Sequence, residues 1–236
     1  MENTKDLNSN AKSAASHLDK GNALYDQGDY ESAISEYDKA LELNPDYADA
    51  YFKRGYAKDE IGQHFEAISD YDEAIRLDPD DPNAYYNRGI VKANLGHPEA
   101  AISDYDAVIR LNPNHAAAYN NRGNAKDDIG QHFEAISDYD TVIRLDPNNT
   151  NPYYNRGIVK VNLGHPEAAI PDYDEAIRLN PNHARSYVNR GNAKRELGLT
   201  NDAKRDYQTA LDLAEKAGDE ELKSRIMKRL ETLSSL

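Results

Sequence analysis

A chain of 236 residues that is 39% hydrophobic and 30% charged is long enough for one or two packed domains and too apolar for a disordered segment. Its formal net charge of −14 at pH 7 repels phosphate backbones and anionic lipid, which argues against nucleic acid or a membrane surface as partner. With no Cys it has no disulfide, thiolate nucleophile or cysteine metal cluster, and no apolar run approaches the roughly 20 residues that span a bilayer. The opening MENTKDLNSNAKS is polar and has no apolar stretch of the kind a secretory signal carries. Residues 1–13 are therefore expected as a flexible polar tail, and the cytoplasm as the location.

From residue 14 onward the chain is periodic. Pro45, Pro79, Pro113, Pro147 and Pro181 fall 34 residues apart, which divides the sequence into six units: 14–47, 48–81, 82–115, 116–149, 150–183 and 184–217. Numbering positions within a unit, position 8 is always Gly, position 20 always Ala and position 24 always Tyr, from Gly21, Ala33 and Tyr37 to Gly191, Ala203 and Tyr207. Apolar residues recur at helical spacing in two blocks around a Gly-centred break such as Ile61-Gly62-Gln63-His64, so each unit is expected as a helical hairpin. Six glycines in first helices need a packing reason, and the expected one is a close approach to the Ala at position 20 of the second helix. Pro98 and Pro166 suit the start of their second helices, whereas Pro171, inside its helix, is expected to kink it and cost some stability. Residues 218–236, with Leu222, Ile226, Met227, Leu230 and Leu233 at helical spacing, are expected as an amphipathic capping helix over the open end of the array.

A second period overlies the first: IGQHFEAISDYD of 61–72 returns unchanged at 129–140, and YYNRGIVK of 85–92 at 153–160. The basic residue at position 7 (Lys20, Arg54, Arg88, Arg122, Arg156, Arg190) faces an acid at position 23 (Glu36, Asp70, Asp104, Asp138, Asp172, Asp206) in an antiparallel hairpin. A repeated ion pair between the helices is the expectation, and the tyrosines at positions 4 and 24 read as packing residues. Of the seven histidines, His64, His97, His132 and His165 sit in turns inside hairpins and His115 and His183 in turns between them, at opposite edges of the array, where they cannot converge as the roughly four ligands of a zinc site. No nucleophile-elbow, zinc-protease or phosphate-loop spacing is present, so neither an enzyme nor a bound cofactor is expected.

The Gly at position 8, Ala at 20, aromatic at 24, small residue at 27 and Pro at 32 resemble the tetratricopeptide repeat family over residues 14 to about 217. Position 7 is basic where that family usually has Leu, and position 11 is Lys in five units where an aromatic is usual. The resemblance implies an all-α fold, a right-handed superhelical solenoid of antiparallel helix pairs. It also implies a concave surface lined by positions 2, 5, 6, 9, 12 and 13 of the first helices.

On that implied surface position 6 places Lys53, Asn87, Asn121, Asn155 and Asn189 in successive units, four of them carboxamides. Evenly spaced amides can bond the backbone of a peptide without reading its sequence. The row looks like the asparagine ladder in the repeat domain of O-linked N-acetylglucosamine transferases. Tyr56, Tyr86 and Tyr154 add aromatic faces, Asn94 and Asn162 further amides, and Asp59, Glu60, Asp127 and Asp128 two acidic patches that favour a basic ligand. The carboxylate clamp of some co-chaperone repeats is matched at Asn124, Asn155 and Arg185, but Asn120 and Asn189 stand where it needs Lys and Arg. Two of three positive charges are thus missing, and a terminal carboxylate is not the expected ligand. The implied function is a non-catalytic adaptor or scaffold for a protein or peptide, with neither nucleic acid nor membrane insertion. The alternative is a self-assembling module that forms homo-oligomers by stacking or swapping repeats.

Overall fold

The computed structural model describes residues 2–234, so Met1 of the expected tail and residues 235–236 of the expected capping segment lie outside the described residues. Among the described residues every regular element is a helix: α1 (Glu2–Asp26), α2 (Tyr30–Leu43), α3 (Ala48–Glu60), α4 (His64–Leu77), α5 (Pro82–Asn94), α6 (Pro98–Leu111), α7 (Ala116–Asp128), α8 (His132–Leu145), α9 (Thr150–Asn162), α10 (Pro166–Leu179), α11 (Ala184–Glu196), α12 (Thr200–Ala217) and α13 (Glu220–Ser234). The chain packs as two compact units, residues 1–118 and 119–236. In the first, α1 pairs with α2, α3 with α4 and α5 with α6, and α2 and α4 also pack on the helix that follows. In the second, α9 pairs with α10 and α11 with α12, while α8 packs on α9, α10 on α11 and α12 on α13.

The turns follow from local chemistry. Inside the hairpins Gly62 and Gly130 adopt φ of 78°, a left-handed conformation that strains any residue with a Cβ. Between hairpins the Asn or Asp before each repeat proline caps its own turn, as where Asn180 Oδ1 accepts from the Asn182 N–H at 3.1 Å. Pro98 and Pro166 occupy the first helical position, as their sequence context predicts. α10 runs unbroken through Pro171, whose ring is exposed, so the missing hydrogen bond falls on the water-facing side. α1 begins at Glu2, so residues 2–13 continue the first helix where the sequence suggests a separate tail. The packed stretch from Ala14 supplies the helical nucleus, and polar residues then extend it at little cost.

The core of each hairpin is the Ala at position 20 and the Tyr at position 24, all six of each at most 1% exposed. The glycine at position 8 meets the tyrosine ring, not the alanine expected from the sequence: a Cβ on Gly157 would stand 2.7 Å from Tyr173 Cε1. Gly55 has the backbone of its alanine nearby as well, with Ala67 O at 3.2 Å beside Tyr71 Cε1 at 3.1 Å. At the far end α13 lays Ile226 and Leu233 into a cluster with Val188, Tyr207 and Ala210, supported by Leu222 and Leu230. Met227, expected on that apolar face, points away and is 45% exposed.

Candidate functional site

The basic residues at positions 7 and 11 of the second to sixth repeats are taken up by the scaffold. The Arg54 guanidinium forks onto Asp70, with Nε 2.9 Å from Oδ2 and Nη2 2.6 Å from Oδ1, and its Nη1 reaches Asp38 of the preceding hairpin at 2.5 Å. Arg190 repeats the arrangement with Asp206 and Asp174, and Arg88 and Arg156 do so with Asp104 and Asp72 and with Asp172 and Asp140. The Lys at position 11 lands on the same buried acid, Lys58 on Asp70 at 2.7 Å and Lys194 on Asp206 at 2.8 Å. Each arginine also lies over the Tyr at position 4, from 5.3 Å for Arg122 on Tyr119 to 5.8 Å for Arg156 on Tyr153. Burial works against the Arg54 charge, but the bonds and charge of Asp70 and Asp38 outweigh it and raise the guanidinium pKa.

The first repeat departs from this scheme. The expected partner of Lys20 is taken: Glu36 is bonded by His17 Nδ1 at 2.7 Å and by Lys39 Nζ at 2.5 Å, and Lys20 is exposed. Positions 4, 7, 11 and 23 have all changed there, to His17, Lys20, Leu24 and Glu36.

In unit 1–118 the first-helix residues make an aromatic and acidic surface. Tyr25 and Tyr56 stack with ring centroids 5.3 Å apart, Phe52 lies parallel to Tyr56 at 6.5 Å, and Lys53 Nζ stands 5.7 Å over Phe52. Asp59 Oδ1 is 2.7 Å from His64 Nδ1, and Glu60 Oε1 accepts from the Tyr25 hydroxyl at 3.2 Å. Tyr86 is packed between Tyr105 and His115, so less of its ring is offered than the sequence suggests. Asn87 turns its amide back onto its own helix, donating to Asn83 O at 3.0 Å, and Asn94 is exposed.

Unit 119–236 carries a network of carboxamides instead. Asn155 Nδ2 donates to Asn124 Oδ1 at 3.0 Å, the same oxygen accepts from the Tyr139 hydroxyl at 2.8 Å, and Asn120 Nδ2 reaches Asn121 Oδ1 at 3.4 Å. Asn124, Tyr139 and Asn155, with Asp127, Asp128 and Ile158, line a cleft of about 220 Å³. Asn162, Asn189 and Asn192 line a second of about 130 Å³ with Ile158, Val161 and Tyr173. Asn189 Nδ2 donates to the hydroxyl of Tyr154, whose ring meets His183 edge-on at 4.9 Å. Asp127 Oδ1 lies 2.6 Å from His132 Nδ1, the counterpart of the Asp59 pair. Arg185 is exposed.

Position 9 has a role that sequence reasoning missed. Asn22, Asn124 and Asn192 accept the hydroxyls of Tyr37, Tyr139 and Tyr207 at 3.0, 2.8 and 2.8 Å. In the second repeat position 9 is Tyr56, and the buried Tyr71 hydroxyl finds no partner. The available signal was Asn at position 9 in three of the six repeats, one helix away from the invariant Tyr at position 24. Among the described residues no group of three or more His, Asp or Glu is placed to hold a metal ion, and no helix is long and apolar enough to cross a membrane.

Comparison with known proteins agrees with this architecture. Family models described as "TPR repeat" match residues 21–59, 60–96 and 128–164, and models described as "Tetratricopeptide repeat" match 82–115, 105–137, 151–183 and 184–216. No match was found among curated proteins. Among solved structures the chain is similar to YrrB, described as a TPR protein with an unusual peptide-binding site, at 28% identity and a TM-score of 0.69, over 78% of this chain and 94% of that one. It is similar to MamA protein at 26% identity and a TM-score of 0.69, over 74% of this chain and 95% of that one. A tetratricopeptide repeat protein from Parabacteroides merdae shares the fold, with 18% identity and a TM-score of 0.75 over 94% and 93% of the two chains.

Proposed function

Since this chain belongs to the tetratricopeptide repeat family, we propose that it is a non-catalytic, cytoplasmic adaptor that holds a peptide or protein segment on its first-helix faces. Asn87, Asn121, Asn155 and Asn189 are its backbone-reading residues, and basic side chains of the ligand are its charge partners. The observation that carries this reading is the cleft beside Asn155, where two carboxamides, a buried tyrosine and two aspartates converge. The Asn155 amide donates to Asn124 at 3.0 Å and, at the longer distance of 3.5 Å, to Asn120, and keeps its carbonyl oxygen to accept from a ligand backbone. The peptide-binding site described for YrrB, at 28% identity, supports the same use of the fold. The net charge of −14 favours basic segments and predicts binding that weakens as salt rises.

The test is affinity capture with the unaltered protein and with a variant carrying Ala at 87, 121, 155 and 189, both shown by circular dichroism to be folded. Captured proteins are then purified and their affinities measured directly. A partner held by the first and lost by the second supports the reading. Equal retention by both overturns it.

A further inference from the structure

The two copies of IGQHFEAISDYD sit beneath different first-helix surfaces. In unit 119–236 positions 5 and 9 are Asn120 and Asn124; in unit 1–118 the same positions are Phe52 and Tyr56. The acids at positions 12 and 13 are kept in both, as Asp59 and Glu60 and as Asp127 and Asp128. The first unit therefore sets carboxylates beside an aromatic stack. Tyr56 is 37% exposed although Tyr25 and Phe52 flank it, so ring surface remains open to a ligand. Glu60 is held beside that stack by the Tyr25 hydroxyl and is exposed. Beneath lies the Tyr71 hydroxyl, fully buried and without a hydrogen-bond partner, with the Tyr71 ring 6.0 Å from Phe52.

A tyrosine face beside a carboxylate is a combination this protein already uses internally. Arg54, Arg88, Arg122, Arg156 and Arg190 each lay a guanidinium over a tyrosine ring and bond an aspartate. The planar cation both stacks on the ring and forks onto the carboxylate, which an ammonium group cannot do. At Tyr56 and Glu60 the ring and the acid are present with no arginine of the described residues upon them, and Lys53 Nζ stands 5.7 Å over the neighbouring Phe52 ring.

We propose that the Tyr25, Phe52 and Tyr56 stack with Asp59 and Glu60 is a subsite for an arginine side chain of the bound segment. It rests on the groove-binding reading above and gives that reading a ligand chemistry. The site differs from the carboxamide cleft of the second unit, which reads backbone, so the two units recognise different features of a ligand.

The probe is a dye-labelled octapeptide of alternating glycine and arginine, followed by fluorescence anisotropy, with lysine and citrulline counterparts as controls. Tyr56→Ala and Glu60→Gln are expected to weaken the arginine probe about tenfold, and Tyr56→Phe to restore the affinity that Ala removes. Glu99→Gln with Glu134→Gln, two exposed acids of the second helices, removes more charge than Glu60→Gln and is expected to weaken the probe less than threefold. The citrulline peptide is expected not to bind, and the lysine peptide to bind several-fold more weakly than arginine. Equal binding of lysine and arginine overturns the proposal, as does an equal loss in the two acidic variants, which would mean attraction to net charge alone. Glu60 is exposed, so its variant remains informative even where Tyr56→Ala unfolds. The four-asparagine variant keeps the outcomes apart: unchanged capture by it overturns the groove reading, whereas an arginine probe indifferent to Tyr56 overturns this subsite alone.

Discussion

Gly157 and Tyr173 are fitted to each other so closely that a methyl group on the glycine would stand 2.7 Å from one ring carbon and 2.9 Å from another. The ring is 1% exposed and has nowhere to retreat. Ala gains about 1 kcal/mol of helix propensity over Gly, while overpacking a core costs about 1–3 kcal/mol. Gly157→Ala is therefore expected to lower stability by up to about 2 kcal/mol in urea unfolding. Gly55→Ala meets its ring at 3.1 Å and is expected to cost less. A gain in stability at Gly157 would show that the ring moves freely.

How much of this was legible in the sequence depends on the range of the interaction. The hairpins, their turns and the arginine–aspartate pairs follow from a 34-residue spacing, because each contact joins positions fixed within one unit. The glycine's partner was read as Ala because both are small, whereas in space the large ring at position 24 fills the gap that Gly leaves. The second bond of Arg54, Arg88, Arg156 and Arg190, to an acid in the preceding hairpin, joins different repeats and was invisible to a search within one. The position 6 asparagines were legible as a row, but not what each amide does: Asn87 turns to its own helix, Asn155 to Asn124 and Asn189 to Tyr154. Those choices depend on the neighbours at positions 5 and 9, where the repeats diverge.

Asp70 gathers Arg54 and Lys58 while only 4% exposed, so it is the member whose loss strands the most charge. Asp70→Asn keeps the shape, leaves two half-buried cations short of their counter-charge and is expected to cost about 3–5 kcal/mol. Lys20→Met, at the corresponding basic position of the first repeat, is expected to change stability by less than about 0.5 kcal/mol because Lys20 is exposed and its expected partner is engaged elsewhere. Denaturant midpoints of the two variants check the pair of values, and a similar cost at both positions would contradict the reading of the first repeat.

Two tyrosines at the same repeat position are expected to respond in opposite directions to loss of the hydroxyl. Tyr139 donates to Asn124 at 2.8 Å, so Tyr139→Phe is expected to cost about 0.5–1.5 kcal/mol. Tyr71 has a buried hydroxyl without a partner, and Tyr71→Phe removes a group that is already unsatisfied. It is expected to leave stability unchanged or raise it by about 1 kcal/mol. Thermal unfolding of both variants decides it. A loss at Tyr71 as large as that at Tyr139 would mean that the Tyr71 hydroxyl has a strong partner.

Alkali should unfold the protein through the same tyrosines. Burial pushes the Tyr37 hydroxyl up to about 12, helped by Asp49 and Asp26. Burial likewise raises Tyr71, Tyr139, Tyr173 and Tyr207 above the ordinary value of 10.0. Below that value folded and unfolded chains hold the same phenolic protons, and these groups leave stability unchanged. Above it the unfolded chain releases protons that the folded chain retains, so stability falls as pH rises toward the folded values. Each retained proton lowers it by about 1.4 kcal/mol per pH unit, and five acting together make the loss steep. Circular dichroism and tyrosinate absorbance followed along one alkaline titration should show helix loss and ionisation of the buried rings in a single transition. Full ionisation of the tyrosines ahead of helix loss would show that the position 24 rings reach solvent within the folded chain.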